Sequence, residues 1–354
     1  MININAPMPY LIPGLSVGLL IWAIGCRKSL RPGRIRVLTI FFLIFVFIAS
    51  FSKINHEVTL FVNDPHNKPA LSGQTENLID AKIASDIVAK NAYLYNVSAD
   101  TILFEKNSDQ HIAPASTAKM MTALTVLDYC DKEEVVSVGQ EIDLVAKDSS
   151  TAGLHSGNIL TVHQLLNALL LPSGNDAAYA LAVFTGRKIC GDDNISIDKA
   201  LIAFLRKMNE KAADIGANDS SFVNPDGYDA TGEYTTAHDL ACIAKEFHDS
   251  DLLRDISATY RISDVWLSSQ EVTYYNTNEL INPASPYYFK YATGIKTGTS
   301  SGAGCCLVSA ANIKDELYLC VVMGSSDNGR WTDSLKLYHF VERDLNKSSD
   351  NSRN

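Results

Sequence analysis

Ser116 and Lys119 stand three residues apart in "PASTAKMMTAL", residues 114–124, and a hydroxyl with an amine at that spacing can carry out acyl transfer. At the first turn of a helix, residues i and i+3 share a face, so the amine can reach the hydroxyl and accept its proton. The unpaired amides of a helix start are also at hand to bind an oxyanion. The competing role for such a serine is a plain helix N-cap. Spacing alone does not choose between them, because Ser50 with Lys53 and Ser196 with Lys199 repeat it.

Two further elements follow in order: Ser173-Gly174-Asn175 in "PSGNDAA" and Lys296-Thr297-Gly298 in "GIKTGTSSGAG". A literal Ser-Asp-Asn also occurs at residues 326–328, but it comes after the Lys-Thr-Gly in what reads as a surface turn, and it is set aside as a decoy. Ser-x-x-Lys, Ser-x-Asn and Lys-Thr-Gly in this order form the signature of β-lactamases and penicillin-binding proteins. The blocks "PASTAKMMTAL", "LLLPSGNDAAYALA", "FVNPDGYDATGEYTTAHDLA" and "GIKTGTSSGAGCCLVSAA" resemble those of the serine-type D-Ala-D-Ala carboxypeptidases, the low-molecular-mass penicillin-binding proteins, over residues 81–341.

The resemblance implies a role for each residue. Ser116 is the nucleophile and Lys119 its base, the amine held uncharged by burial and by a nearby cation. Lys296 is that cation and helps to bind the anionic end of the substrate. Ser173 passes protons toward the leaving amine, and Asn175 holds the peptide backbone. The amides of Ser116 and Thr299 form the oxyanion hole. Thr297 and Arg330, the latter in "NGRWTDS", are candidates for the terminal carboxylate, which a guanidinium fork suits. No metal or cofactor is needed. The partners implied are peptidoglycan stem peptides ending in D-Ala-D-Ala, with β-lactams as covalent inhibitors.

These residues need a frame. "AYLYNVSADTILFEKN" holds two short apolar runs about a Ser-Ala-Asp turn and predicts a β-hairpin. Met120, Ala123, Leu124 and Leu127 share one helical face, and helical periods recur at 162–171, 177–185, 197–215 and 237–247. From Gly294 onward, "CCLVSAA" and "ELYLCVVMG" read as strands. Strands at both ends around a helical middle predict an α+β, β-lactamase/penicillin-binding transpeptidase-like fold, its antiparallel sheet built from both chain ends.

The chain has 354 residues, 46% of them hydrophobic, ample for a folded core. Residues 9–25 and 37–51 contain no charge, and "RKSLRPGRIR" between them carries five basic residues and no acid. Basic clusters stay cytoplasmic during insertion, so the remainder is expected outside the cytoplasm, at the cell membrane. The second apolar segment is shorter than the ~20 residues of a usual span and also fits a signal-peptide core. All 40 acidic residues lie after Ser52, whereas five of the 30 basic ones precede it, and that acidic balance indicates no nucleic-acid partner. The expected organisation is membrane segments at 1–52, a Pro- and Gly-containing linker at 53–80, the carboxypeptidase domain at 81–345 and a polar tail at 346–354. Some relatives carry a C-terminal β-rich domain with a terminal amphipathic helix; here anchoring is expected at the N-terminus.

Other chemistries have weaker support. The seven cysteines form no Cys-x-x-Cys, and Cys305, Cys306 and Cys320 read as small buried hydrophobes. The eight histidines form no His-Glu-x-x-His; His155 reads as a loop residue and His163 as a helix-start residue. A β-lactamase of the same fold needs a Glu to activate the deacylating water, and no Glu-x-x-Leu-Asn stands between Asn175 and Lys296. A β-lactam sensor needs a cytoplasmic output domain, for which the short basic loop is too small.

Overall fold

The computed structural model describes residues 74–75 and 84–351. The two apolar segments, the basic loop between them and Ser50 with Lys53 lie outside the described residues. Among the described residues no helix is long and apolar enough to cross a membrane.

The expected hairpin is present as β2 (Asn91–Asn96) and β3 (Thr101–Lys106). The last strands are β8 (Ala292–Ser300), β9 (Gly304–Ile313) and β10 (Glu316–Ser325). With the two-residue β1 (Gln74–Thr75), they make a six-stranded sheet in the order β1-β3-β2-β10-β9-β8. The pairing of β2 with β10 joins the two ends of the domain, Leu94 opposite Cys320. All pairs are antiparallel except β1 with β3.

Period-two alternation decides what each sheet face meets. Cys306, Val308 and Ala310 of β9, with Leu319, Val321 and Met323 of β10, pack into the larger core under the helical middle. Leu307, Ala311, Tyr318, Cys320 and Val322 face the other way, against Trp331, Leu337, Tyr338 and Val341. Those four belong to a long C-terminal helix, Asp327–Asn351. The sheet therefore lies between two helical layers.

The middle layer comprises α1 (Lys119–Tyr129), α2 (Val162–Leu170), α3 (Asn175–Cys190), α4 (Ile197–Asp214), α5 (Ala237–Asp249) and α6 (Asp251–Ala258); the C-terminal helix is α7. Every residue of α1 from Lys119 to Val126 is buried, so this helix is surrounded by protein on all sides. Two small antiparallel pairs, β4 (Val135–Ser137) with β5 (Ile159–Thr161) and β6 (Arg261–Val265) with β7 (Glu271–Tyr275), stand apart from the main sheet.

Two expectations change. Ser326, expected in a surface turn, opens α7: its hydroxyl accepts from Gly329 N at 3.0 Å and its carbonyl from Arg330 N at 3.1 Å. Cys306 and Cys320 are buried as expected, but Cys305 is only half-buried, because it sits at the start of β9 where the strand leaves its turn.

Candidate active site

Ser116 lies in a 3-10 turn, Ala115–Ala118, that leads directly into α1. It does not cap the helix, since neither the turn nor α1 has a side-chain cap. Ser196, which shares the Ser-x-x-Lys spacing, does cap: its hydroxyl accepts from Lys199 N at the start of α4. Ala115 has φ +47°, a conformation that costs a non-glycine residue on the order of 1–3 kcal/mol. The surrounding packing holds it there. A Cβ on Gly227 would lie 1.9 Å from Ala115 O, and one on Gly298 3.2 Å from Ser116 N. Glycine at both positions lets the 221–236 loop and strand β8 close on the turn.

Lys119 is fully buried on the first turn of α1. Its Nζ lies 2.8 Å from Ser116 Oγ, 2.7 Å from Asn175 Oδ1 and 2.8 Å from Asp226 O. Burial pushes the amine down to about 8, against the opposing pull of the Asp226 and Asp176 carboxylates. A neutral amine has two hydrogens and one lone pair. Asn175 Oδ1 and the Asp226 carbonyl can only accept, so they take both hydrogens, and the lone pair is left facing the Ser116 hydroxyl.

Asn175 owes its place to the start of α3. Its amide donates to Ser150 O at 2.9 Å, and the neighbouring Asp176 carboxylate accepts from the amides of Ala152 at 2.8 Å and Leu154 at 2.9 Å. Ser173, just before the helix, has φ +64° and a buried hydroxyl with no hydrogen-bond partner. A strained residue presenting an unsatisfied hydroxyl is costly unless another molecule completes it.

Lys296, Thr297 and Thr299 come from β8. Lys296 is fully buried and donates to Thr297 O at 3.1 Å. Expected as the cation that depresses Lys119, it is itself pulled well below the usual lysine range, by burial first and then by Lys119 and Arg330. Thr297 shares a hydrogen bond with the Thr277 hydroxyl, and Thr277 N donates to Leu171 O, tying β8 to the end of α2. Arg330, on α7, donates to Thr299 Oγ1 at 2.9 Å and to Asp327 Oδ1 at 2.7 Å. Its guanidinium lies 4.6 Å from the Trp331 ring centre. The eight residues singled out in the sequence thus fall on four elements: the Ser116 turn with α1, the start of α3, β8 and α7.

The sequence reading missed the contributions of the 221–236 loop. Asp226 holds Lys119 through a backbone carbonyl, for which no side-chain pattern exists. Glu233 is buried, accepts from Val223 N at 2.6 Å, and is pushed up to about 8 by burial. Asp229 accepts from Ser300 and Gly302 in the turn after β8. Among the described residues no three His, Cys, Asp or Glu side chains converge in a way that could hold a metal ion.

An antiparallel sheet between helical layers, with a Ser-x-x-Lys turn closed on by a Lys-Thr-Gly strand, defines the penicillin-recognising serine peptidases. Within that class the chain belongs to the D-alanyl-D-alanine carboxypeptidase family, peptidase family S11, whose model matches residues 78–327. It is 30% identical to the D-alanyl-D-alanine carboxypeptidase DacF of Bacillus subtilis over 70% of this chain and 60% of that protein. Identity is 31% with the D-alanyl-D-alanine carboxypeptidase of Streptomyces sp. strain K15, over 72% of this chain and 87% of the relative. The solved Streptomyces K15 DD-transpeptidase superposes with a TM-score of 0.65 at 30% identity, covering 72% of this chain and 97% of that one. This chain thus spans less than two thirds of the length of the Bacillus relative.

Proposed function

We propose that the protein is an exported, membrane-anchored serine D-Ala-D-Ala carboxypeptidase that removes the terminal D-alanine of peptidoglycan stem peptides. The observation that carries this reading is the buried Lys119 amine, pushed down to about 8 and 2.8 Å from Ser116 Oγ.

In this reading neutral Lys119 takes the Ser116 proton as Oγ bonds to the carbonyl carbon of the penultimate D-alanine. The amides of Ser116 and Thr299 hold the resulting oxyanion. Collapse of the tetrahedral adduct breaks the C–N bond; the leaving nitrogen receives a proton from Lys119 by way of Ser173, and free D-alanine departs. Water then attacks the Ser116 ester, giving its proton to Lys119, which passes it to Ser116 Oγ as the ester C–O bond breaks and the shortened peptide leaves. Arg330 and Lys296 bind the substrate's terminal carboxylate with Thr297. An anion beside Lys296 favours its charged form.

The chemistry by which Ser116 attacks a peptide carbonyl also opens a β-lactam ring, so β-lactams act as covalent inhibitors. Residues 1–52 serve as the membrane anchor and 53–80 as the linker; residues 81–345 form the extracytoplasmic catalytic domain, followed by the tail at 346–354. The cellular role is wall maturation, or depletion of D-Ala-ended precursors in glycopeptide-resistant cells, and one site serves either. The likeness to a DD-transpeptidase supports amines as a second class of acyl acceptor.

Mass spectrometry of the protein after exposure to benzylpenicillin tests this reading. One adduct is expected, on the peptide containing Ser116. An adduct elsewhere, or none, overturns it.

A further inference from the structure

Four consecutive residues of the 221–236 loop reach different parts of the site. Asp226 O accepts from Lys119 Nζ at 2.8 Å. Gly227, with φ +77°, packs against the backbone of Ala115. The Tyr228 hydroxyl donates to Asp148 Oδ1 at 3.1 Å. Asp229 accepts from Ser300 Oγ at 2.6 Å and from Gly302 N at 2.7 Å. Ser300 in turn accepts from Ala303 N at 3.0 Å, so one carboxylate organises the whole turn between β8 and β9.

The position of this turn matters because β8 is the outer strand of the sheet, paired on one side to β9 alone. The last β8 residue before Ser300 is Thr299. Hydrogen bonds to a carboxylate are among the stronger ones, and here they tie the free end of the strand to the loop that holds Lys119.

We propose that Asp229 is a positioning residue for acyl transfer: by binding the Ser300–Gly302 turn, it fixes the Thr299 amide relative to the Lys119 amine. This rests on the proposed use of that amide as an oxyanion donor. Asp229 touches neither the nucleophile nor its base. Its side chain is half-buried, and its hydrogen bonds run to the Ser300–Gly302 turn. Its effect is on geometry, and a displacement of about 1 Å in such a site costs on the order of 100-fold in rate.

The test is the rate of Ser116 acylation by fluorescent penicillin in the detergent-solubilised full chain, with thermal melting measured in parallel. Asp229→Ala is expected to slow acylation about 10- to 100-fold while leaving the pH midpoint of the reaction in place, because the partners of Lys119 are untouched. Asp229→Asn, which retains one acceptor, falls between. Ser300→Ala is slower than wild type, and the Asp229→Ala/Ser300→Ala double variant loses less than the product of the two single losses, because the two share the Asp229–Ser300 hydrogen bond. Wild-type rates in Asp229→Ala, losses that multiply in the double variant, or a shifted pH midpoint overturn the proposal. If Asp229→Ala does not fold, wild-type rates in both Asp229→Asn and Ser300→Ala overturn it. A wild-type protein that takes up no penicillin is a different failure, visible before any variant is compared: it removes Ser116 as nucleophile and this proposal with it.

Discussion

Arg330 Nη1 donates to Thr299 Oγ1 at 2.9 Å, joining α7 to the residue that follows Lys-Thr-Gly on the outer strand. The contact brings a guanidinium from the C-terminal layer to the same strand as Lys296, and its Nε is left without a partner.

A carboxylate bound there gives a preference that can be measured. Wild-type protein should cleave a D-Ala-D-Ala peptide acid far faster than its C-terminal amide. Arg330→Ala should lower kcat/KM for the acid by about 10- to 100-fold, the worth of a hydrogen-bonded charge pair, and leave the amide nearly unchanged. Equal losses on both substrates would assign Arg330 to support of the fold.

The Lys119 amine acts as a base only when neutral, and its proton leaves near pH 8. Acylation by penicillin should therefore rise with pH through a midpoint near 8 and flatten above it. Asn175→Asp would set a carboxylate 2.7 Å from Nζ in place of a neutral amide. An opposite charge favours the ammonium, so the midpoint should move up by about 1–3 units, with the rate at pH 7 falling accordingly. A pH–rate series on both proteins reads the shift.

The two glycines against the Ser116 turn should fail in different ways. An added Cβ at Gly298 meets Ala115 Cβ at 3.1 Å and Pro114 O at 3.3 Å, a misfit that a small shift of β8 absorbs. Gly298→Ala should slow acylation and lower the melting temperature only slightly. At Gly227 the clash is with backbone and φ is +77°, so Gly227→Ala should lose on the order of 2 kcal/mol or more, read by denaturant unfolding.

Ser196→Ala should cost about 1 kcal/mol through loss of the α4 cap and leave penicillin labelling intact. Ser116→Ala should do the opposite, with unchanged melting and no label, since Ser116 caps nothing. Gel fluorescence with melting curves separates the two serines that share one spacing.

Much of the frame was legible because it depends on local period. Residues 92–97 and 101–105 read as a hairpin, and the structure places strands there within a residue. The strand-like texture of "CCLVSAA" and "ELYLCVVMG" correctly placed two central strands. The hairpin of Arg261–Val265 with Glu271–Tyr275 was not read, because its strands carry Arg261 and Glu271 on exposed positions and the charged Asp264 on a half-buried one. The long helix after Asp327 was missed as well, its apolar residues Trp331, Leu337, Tyr338 and Val341 having been overshadowed by the polar segment that follows.

Within the site, side-chain chemistry left a trace in the sequence and backbone chemistry did not. Ser116, Lys119, Asn175 and Lys296 announce themselves by residue type and order. The Asp226 carbonyl on Lys119 could belong to any residue, and the Asp229 link to Ser300 spans 71 positions between two loops. Burial is equally hidden: spacing shows that an amine is present at Lys296, whereas the downward pull on it comes from burial first and then from Lys119 and Arg330.

The most direct measurement is release of D-alanine from diacetyl-L-Lys-D-Ala-D-Ala by the purified full chain and its Ser116→Ala variant. Release by the wild type alone is the expected result. Release by Ser116→Ala at the wild-type rate, or no release by a wild-type protein that binds penicillin covalently, would contradict a serine carboxypeptidase working through Ser116.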